Sequence, residues 1–420
     1  MTASSPLHTL IVGGGIAGSA LAIALASDGH RVTVLEKQSK WAFQSSGIFI
    51  YSNGLVALDR IGVLPEILAA GFVVEDGENI YLDHHGDPIV DVFYPAADGG
   101  RIPPVIGIKR AEMHRVLATR MQALGVEVRL GTSVDAILDD AMHTAANSTA
   151  AGAPDTAPGS ATQGAANAPR LGPVRVRTSD GATIACDLVV GADGIRSHVR
   201  TLLLGAIEPT YTGFGVWRSI HERPADVVSK LLMMGVGKRF GVMPISHDTL
   251  YVYATSNEPG RPWYAPDTWH AHMRAKFDEF QGPARRYLEQ LSPETETLYT
   301  SVEEVRLPLP WHRGRVQLIG DAAHASTPFM GQGGAMALED AVVLADMLRT
   351  RTPDTPLTHT LQAFGERRYP RCAFVQDVSR KVGEAGGLEN DASCQVRNER
   401  MKAGAQADVD RFYGQMLGPI

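Results

Sequence analysis

Cysteine is scarce in this chain: Cys186, Cys372 and Cys394 are the only three in 420 residues, with no metal-type spacing. A disulfide-stapled scaffold is thereby excluded, no metal site is read, and a reducing compartment fits. Also missing are any run of 18 uninterrupted apolar residues and a charged segment ahead of the first apolar stretch. Neither a membrane span nor a secretory leader is therefore read, and a cytoplasmic location is expected. No basic run stands out against a formal net charge of −7, which argues against nucleic acid as a partner. With 44% hydrophobic content, a chain of this length buries a large core and divides most naturally into two domains.

Three glycine-containing motifs each follow an apolar β-type run. In the first, Leu7 to Val12 reads as a strand, Ile16 to Asp28 as a helix stopped by Gly29, and Arg31 to Leu35 as a second strand. Between strand and helix, Gly13 permits the tight turn, Gly15 admits a pyrophosphate to the backbone N–H groups, and Gly18 lets the helix pack closely on the strand. Ile16 and Ala17 open the helix, whose N-terminus turns its positive dipole end to the phosphates. Glu36, followed by Lys37, ends the second strand, where a carboxylate accepts hydrogen bonds from ribose hydroxyls and repels a 2′-phosphate.

The second motif is Gly191-Ala192-Asp193-Gly194 after Leu188 to Val190, with Arg196 opening a helix that runs to about Leu203. Open α/β sheets bind ligands at such strand ends, although an aspartate in this place also serves simply to cap the helix. In the third, Arg315 to Ile319 is a strand, Gly320 and Asp321 follow, and the chain continues through Pro328, Gly331, Gln332, Gly333 and Gly334 into a helix with Leu338, Ala341, Val342, Ala345 and Leu348 on one face. The uncapped start of that helix favours the negative charge that a reduced flavin carries at N1 and its C2 carbonyl.

Between these motifs the pattern alternates. Asn79 to Tyr94 reads as a hairpin turning at residues 85–87, and Arg110 to Leu124 as a helix with Gly125 at its C-cap. Residues 141–173 are almost wholly Ala, Gly, Ser, Thr, Asn and Pro, and are expected to form a mobile surface loop between strands that end near Leu138 and resume near Val174. Strand signals at 214–220, 231–236, 239–244 and 249–255 predict an antiparallel sheet inserted into the α/β unit. Helical patterning resumes from Leu357, turns polar and poorly periodic from about Gly383, and predicts helices packed on the outside. The expected organisation is α/β: a dinucleotide-binding unit from 1–71, 105–205 and 309–355, a substrate unit from 72–104 and 206–308, and a C-terminal helical segment over 356–420.

On these motifs the chain resembles the class A flavoprotein aromatic hydroxylases, the p-hydroxybenzoate hydroxylase-like and salicylate hydroxylase-like FAD monooxygenases, over about residues 8–380. The resemblance implies a Rossmann-like FAD-binding domain with a parallel sheet, interleaved with an antiparallel-sheet substrate domain and followed by C-terminal helices. It implies that Gly13, Gly15, Gly18 and Glu36 hold the ADP half of FAD, that Asp193, Gly194 and Arg196 serve flavin and nicotinamide, and that Gly320 and Asp321 bind the ribityl chain. Pro328, Gly331, Gln332 and Gly333 would lie near the isoalloxazine, and Arg110, in the segment Ile108 to His114, against the flavin. Two departures stand out: Trp41 to Ser46 contains none of the arginines that many relatives carry there, and the Ala-rich insertion is atypical.

The activity so implied is hydroxylation of an aromatic or heteroaromatic small molecule. NADH or NADPH binds transiently to reduce FAD, O₂ adds to give a C4a-hydroperoxyflavin, and the ring attacks its distal oxygen. Tyr211, His221 and His247, in the predicted substrate domain, are the candidate bases, Pro328 is placed at the reacting centre, and His324 is assigned to packing near the cofactor. A larger polyketide or antibiotic-type ring is an alternative substrate, and a non-catalytic flavin-bound interaction protein the alternative from another class. A flavin-dependent halogenase would need a Trp-x-Trp-x-Ile-Pro segment, which Trp263 and Trp269 do not form, and a plain NAD dehydrogenase would leave the second and third motifs unexplained. A monomer or homodimer is expected.

Overall fold

A computed structural model describes residues 6–41, 46–139 and 172–420. The apolar runs that carry the three motifs lie side by side in a six-stranded sheet, in the order His312–Arg313, Val316–Leu318, Leu188–Gly191, His8–Val12, Arg31–Glu36 and Glu127–Leu130. All pairings are parallel except that of His312–Arg313 with its neighbour. Such strands need no polar face because helices cover both sides of a parallel sheet. The register sets Val12 beside Gly191 and Gly191 beside Leu318, so the three loops leave the sheet at one level.

The substrate-side sheet has seven strands, ordered Thr297–Glu304, Thr210–Glu222, Thr249–Asn257, Lys238–Pro244, Lys230–Met234, Glu78–Asp83 and Pro88–Phe93. It is mixed rather than antiparallel, because Lys230–Met234 pairs in parallel with Glu78–Asp83. These two strands come from distant parts of the chain, so no short turn dictates their relative direction. Alternation divides the sheet cleanly. Trp217, Met233, Phe240 and Val252 face a second core completed by Phe277 and Phe280. Arg218, Lys230, Tyr251 and Tyr253 face the other way, into a cavity.

A three-stranded sheet of Gly47–Tyr51, Val105–Lys109 and Phe72–Val74 joins the two units. Close approach is built in: a Cβ at Gly107 would lie 2.0 Å from the Pro244 carbonyl oxygen, and one at Gly47 2.3 Å from the Tyr251 ring. Phe72–Val74, assigned by sequence to the substrate unit, thus pairs with a strand of the other unit. Val134–Leu138 and Val174–Thr178 form an antiparallel pair with Leu138 opposite Arg175. Of the stretch 141–173 that separates them, residues 141–171 lie outside the described residues.

The C-terminal region is two long helices, Leu357–Gly386 of 30 residues and Asp391–Met416 of 26 residues. The expectation of a poorly periodic segment packed outside is corrected: the terminal helix forms one wall of the cavity. Its inward side is interrupted by small and polar residues because it borders an open space rather than a core. Among the described residues no helix is long and apolar enough to cross a membrane.

Candidate functional site

The three motifs converge on the first glycine turn. A Cβ at Gly13, which has φ +102°, would lie 2.4 Å from the Ala192 carbonyl oxygen, and one at Gly18 would lie 1.9 Å from the Gly13 carbonyl oxygen. A Cβ at Gly320 would lie 3.1 Å from the Ala17 Cβ, and one at Gly334 3.9 Å from Ile16 Cδ1. Gly15 differs, since a Cβ there would meet no protein atom within 4 Å. Packing gives no reason for a glycine at this helix entry, and the open space in front of it is where a pyrophosphate fits. Glu36 Oε2 accepts the Gly14 N–H at 2.8 Å and Oε1 the Gln38 N–H at 2.9 Å, which fixes the carboxylate beside the turn, while Lys37 is exposed.

Two charged groups complete this cradle. Arg110 and Asp321 are exposed side chains closely ringed by protein, so that desolvation lowers the guanidinium's pKa and raises the carboxyl's, and each feels the other's charge. Yet solvent reaches both through a cleft, and among the described residues neither side chain has a hydrogen-bond partner. A cleft with an open phosphate-type turn, a carboxylate, a guanidinium and the uncapped start of the helix Gly333–Thr350 fits FAD. Asp321 would hold the ribityl hydroxyls and the helix start the pyrimidine edge of the ring.

The second motif is used differently. Asp193 accepts from Ser197 Oγ at 2.5 Å and from the His198 and Val199 N–H groups at 2.7 and 3.0 Å, so its carboxylate is committed to the start of the helix His198–Leu204. Gly194 supplies the positive φ of +80° that the turn requires. Arg196 points to the substrate-side sheet and pairs with Glu303 at 2.6 Å.

Behind the third motif lies a buried ionic network that the sequence did not disclose. Asp340 Oδ2 accepts the Gly320 N–H at 2.8 Å and lies 2.6 Å from His324 Nε2, while Oδ1 accepts from Arg368 Nε at 2.7 Å. Burial alone would raise the Asp340 carboxyl, but the His324 and Arg368 charges bring it down to about 2. Arg368 and Arg371 both reach Glu339, which also accepts from Asn53. Asn53 donates to Gln332 Oε1 as well, and Gln332 Nε2 in turn donates to Tyr413 Oη, so Gln332 is a buried tie between the loop and the terminal helix. His324 is thus a structural partner of Asp340 rather than a free base.

In front of the motif, Pro328, Phe329 and Met330 form part of the wall of a cavity of about 850 Å³. Tyr51, Tyr94 and Tyr253 line it from the sheets, and the terminal helix contributes residues from Ala392 to Tyr413. None of the three predicted bases borders it. The Tyr211 hydroxyl donates to the Glu258 carbonyl. His221 projects to the Trp217 side of the sheet, between Ser219 Oγ and Gln290 Oε1, where burial lowers its pKa. His247 is exposed in a hairpin turn, with its carbonyl accepting from Arg223. Lys230, by contrast, does border the cavity, and its alternation with Leu232 and Met234 is the signal that reveals it.

The FAD binding domain family matches residues 7–159 and 160–379. Over 418 residues, 98% of each chain, the sequence is 32% identical to 2-heptyl-3-hydroxy-4(1H)-quinolone synthase of Pseudomonas aeruginosa. Over 408 residues, 96% of each, it is 31% identical to aurachin C monooxygenase/isomerase of Stigmatella aurantiaca. In fold it is similar to Klebsiella pneumoniae HpxO complexed with FAD and uric acid, with a TM-score of 0.79 and 22% identity over 98% of this chain and 97% of that one.

Proposed function

The chain belongs to the FAD binding domain family, and from that premise we propose the reaction its cavity serves: FAD-dependent, NAD(P)H-consuming insertion of one oxygen atom of O₂ into an aromatic or heteroaromatic ring. The flavin, when bound, supplies hydride acceptance and oxygen activation. This chain's residues do the rest. Gly13, Gly15 and Gly18 shape the phosphate turn, Asp321 and Arg110 face the cofactor cleft, and the buried Asp340–Arg368 pair holds the loop that carries Asp321.

One observation carries this reading. Pro328 to Met330 belongs at once to the third motif and to the cavity wall, so a ring held by that motif would border the aromatic-lined space. Burial there orients the substrate and keeps out water.

The cavity also narrows the substrate. The terminal helix lines it from Ala392 to Tyr413, a length of about 30 Å at the usual helical rise. Such a wall suits a bicyclic heteroaromatic head with an extended apolar substituent better than a single small phenol. The name of the Pseudomonas relative, a heptyl quinolone synthase, points the same way.

The experiment is to purify the yellow protein, screen 4-quinolones with and without a 2-alkyl chain for stimulated NADH and NADPH oxidation, and weigh the product. The expected result is stimulation that grows with the chain and a product one oxygen heavier. Bound FAD with no stimulation by any member of the panel would defeat the substrate reading.

A further inference from the structure

Among the described residues, four cations with side-chain hydrogen bonds border the cavity without meeting a carboxylate, beside the exposed Arg400. Lys230 Nζ donates to Tyr51 Oη at 3.0 Å and Tyr94 Oη at 3.4 Å. Arg239 is held by Thr255 Oγ1 and the Val382 carbonyl, Arg218 by Tyr251 Oη and Thr300 Oγ1, and Arg397 by the carbonyls of Gly235 and Ala385. The one acidic side chain on the described wall, Asp408, is exposed and pairs with Arg411. Charge buried in this way without a counter-charge destabilises the protein until an anion arrives.

Lys230 is the most enclosed of the four, at 4% exposure, with its amine 5.0 Å from the Phe49 ring centroid and 5.3 Å from that of Tyr94. Phe49 in turn abuts the third motif, where a Cβ at Gly331 would lie 2.2 Å from its ring. One aromatic ring therefore separates the amine from the flavin-side loop. Burial, aided by the Arg239 charge, lowers the pKa of Lys230 to about 7, so a neutral amine is populated near neutrality. The other titratable groups around it do not compete. Burial raises Tyr51, Tyr94, Tyr253 and the terminal helix's Tyr413 well above the usual phenol value, and raises Tyr81 as well. Arg239, lowered by burial to about 10, stays charged at neutral pH.

We propose that Lys230 is the base that takes the proton of an acidic hydroxyl on the aromatic substrate and then holds the oxyanion so formed, a role that rests on the monooxygenase reading above. The O–H bond breaks, an Nζ–H bond forms, and a neutral pair becomes an ammonium–oxyanion pair with no further reactant. The bound oxyanion meets the missing counter-charge and enriches the ring carbons that receive oxygen.

The test uses the FAD-loaded protein and two bicyclic probes, 7-hydroxycoumarin and its non-ionisable ether 7-methoxycoumarin. Bound 7-hydroxycoumarin is expected to ionise at least about one pH unit below its value in buffer, and to bind about tenfold more tightly than the ether. In Lys230→Met both differences vanish, while flavin content and ether binding persist. Lys230→Arg, permanently charged, keeps the tighter binding of the anion. Unchanged probe ionisation in Lys230→Met overturns the proposal, as does a wild-type protein that binds both probes equally or neither. These readings need no turnover, so their failure is distinct from an absence of substrate-stimulated NAD(P)H oxidation, which would remove the monooxygenase reading instead.

Discussion

Two groups of buried charge lie on either side of the flavin-side loop, and they are built on opposite plans. Behind it, Arg368, Arg371, Asp340 and Glu339 pair cation with carboxylate at 2.7 to 2.8 Å. In front of it, Lys230, Arg239 and Arg397 are also buried, yet among the described residues none of them pairs with a carboxylate. A paired network fixes architecture, because each member would be costly without the others. An unpaired set marks a place where the protein leaves part of its electrostatics to a ligand.

Breaking the paired side should have the largest effect. Arg368→Met takes the shared cation from Asp340 and Glu339, leaving one to His324 and the other to Arg371, and a loss of about 3–5 kcal/mol of stability is expected, read by chemical denaturation of the FAD-free protein. An intact unfolding midpoint would show that the network is not structural. Next comes the carboxylate between the two groups: Asp321→Asn should weaken FAD by about 1.5–3 kcal/mol, the worth of hydrogen bonds to a charged acceptor, measured by flavin fluorescence titration. Undiminished affinity would remove Asp321 from the ribityl role.

The effect of opposite sign belongs to the unpaired side, and near pH 10 it is the smallest of the three. Lys230→Met should leave stability unchanged or raise it, with a defined pH dependence. The folded pKa of about 7 lies below the unfolded value, so the unfolded chain holds the extra proton between roughly pH 7 and 10.4. Wild-type stability therefore falls as pH drops through that window, by at most about 1.4 kcal/mol per unit. The gain in the variant should be greatest below pH 7 and fade towards pH 10. Parallel stability curves for the two proteins across that range would contradict a depressed lysine.

The same contrast explains what could be read in the sequence. The cofactor motifs were legible because their chemistry is local: a strand, a glycine turn and a helix within a few tens of residues, as in Leu7 to Glu36. Their convergence followed from parallel register, with Val12, Gly191 and Leu318 level. The cavity was not legible, because its wall is assembled from alternate residues of strands far apart in the chain. His221 drew attention as a histidine, but it shares parity with Trp217 and so faces the second core. Lys230 sits one residue ahead of the strand as read, and only the parallel pairing with Asn79 to Asp83 places it in the interior. The terminal helix was legible as a helix but its place on the cavity wall was not, because Cys394, Arg397, Phe412 and Tyr413 make a discontinuous buried side. Asp193 shows the reverse case, where the plainer of two local readings, a helix cap, describes its hydrogen bonds.

The opposed rungs Leu138 and Arg175 set the chain's exit from and re-entry to the small sheet side by side. Whatever length separates those two positions, the sheet registers only the two ends. That doorway is accordingly where a reporter domain or affinity handle could be spliced into this enzyme, leaving flavin cleft and aromatic chamber to assemble as before.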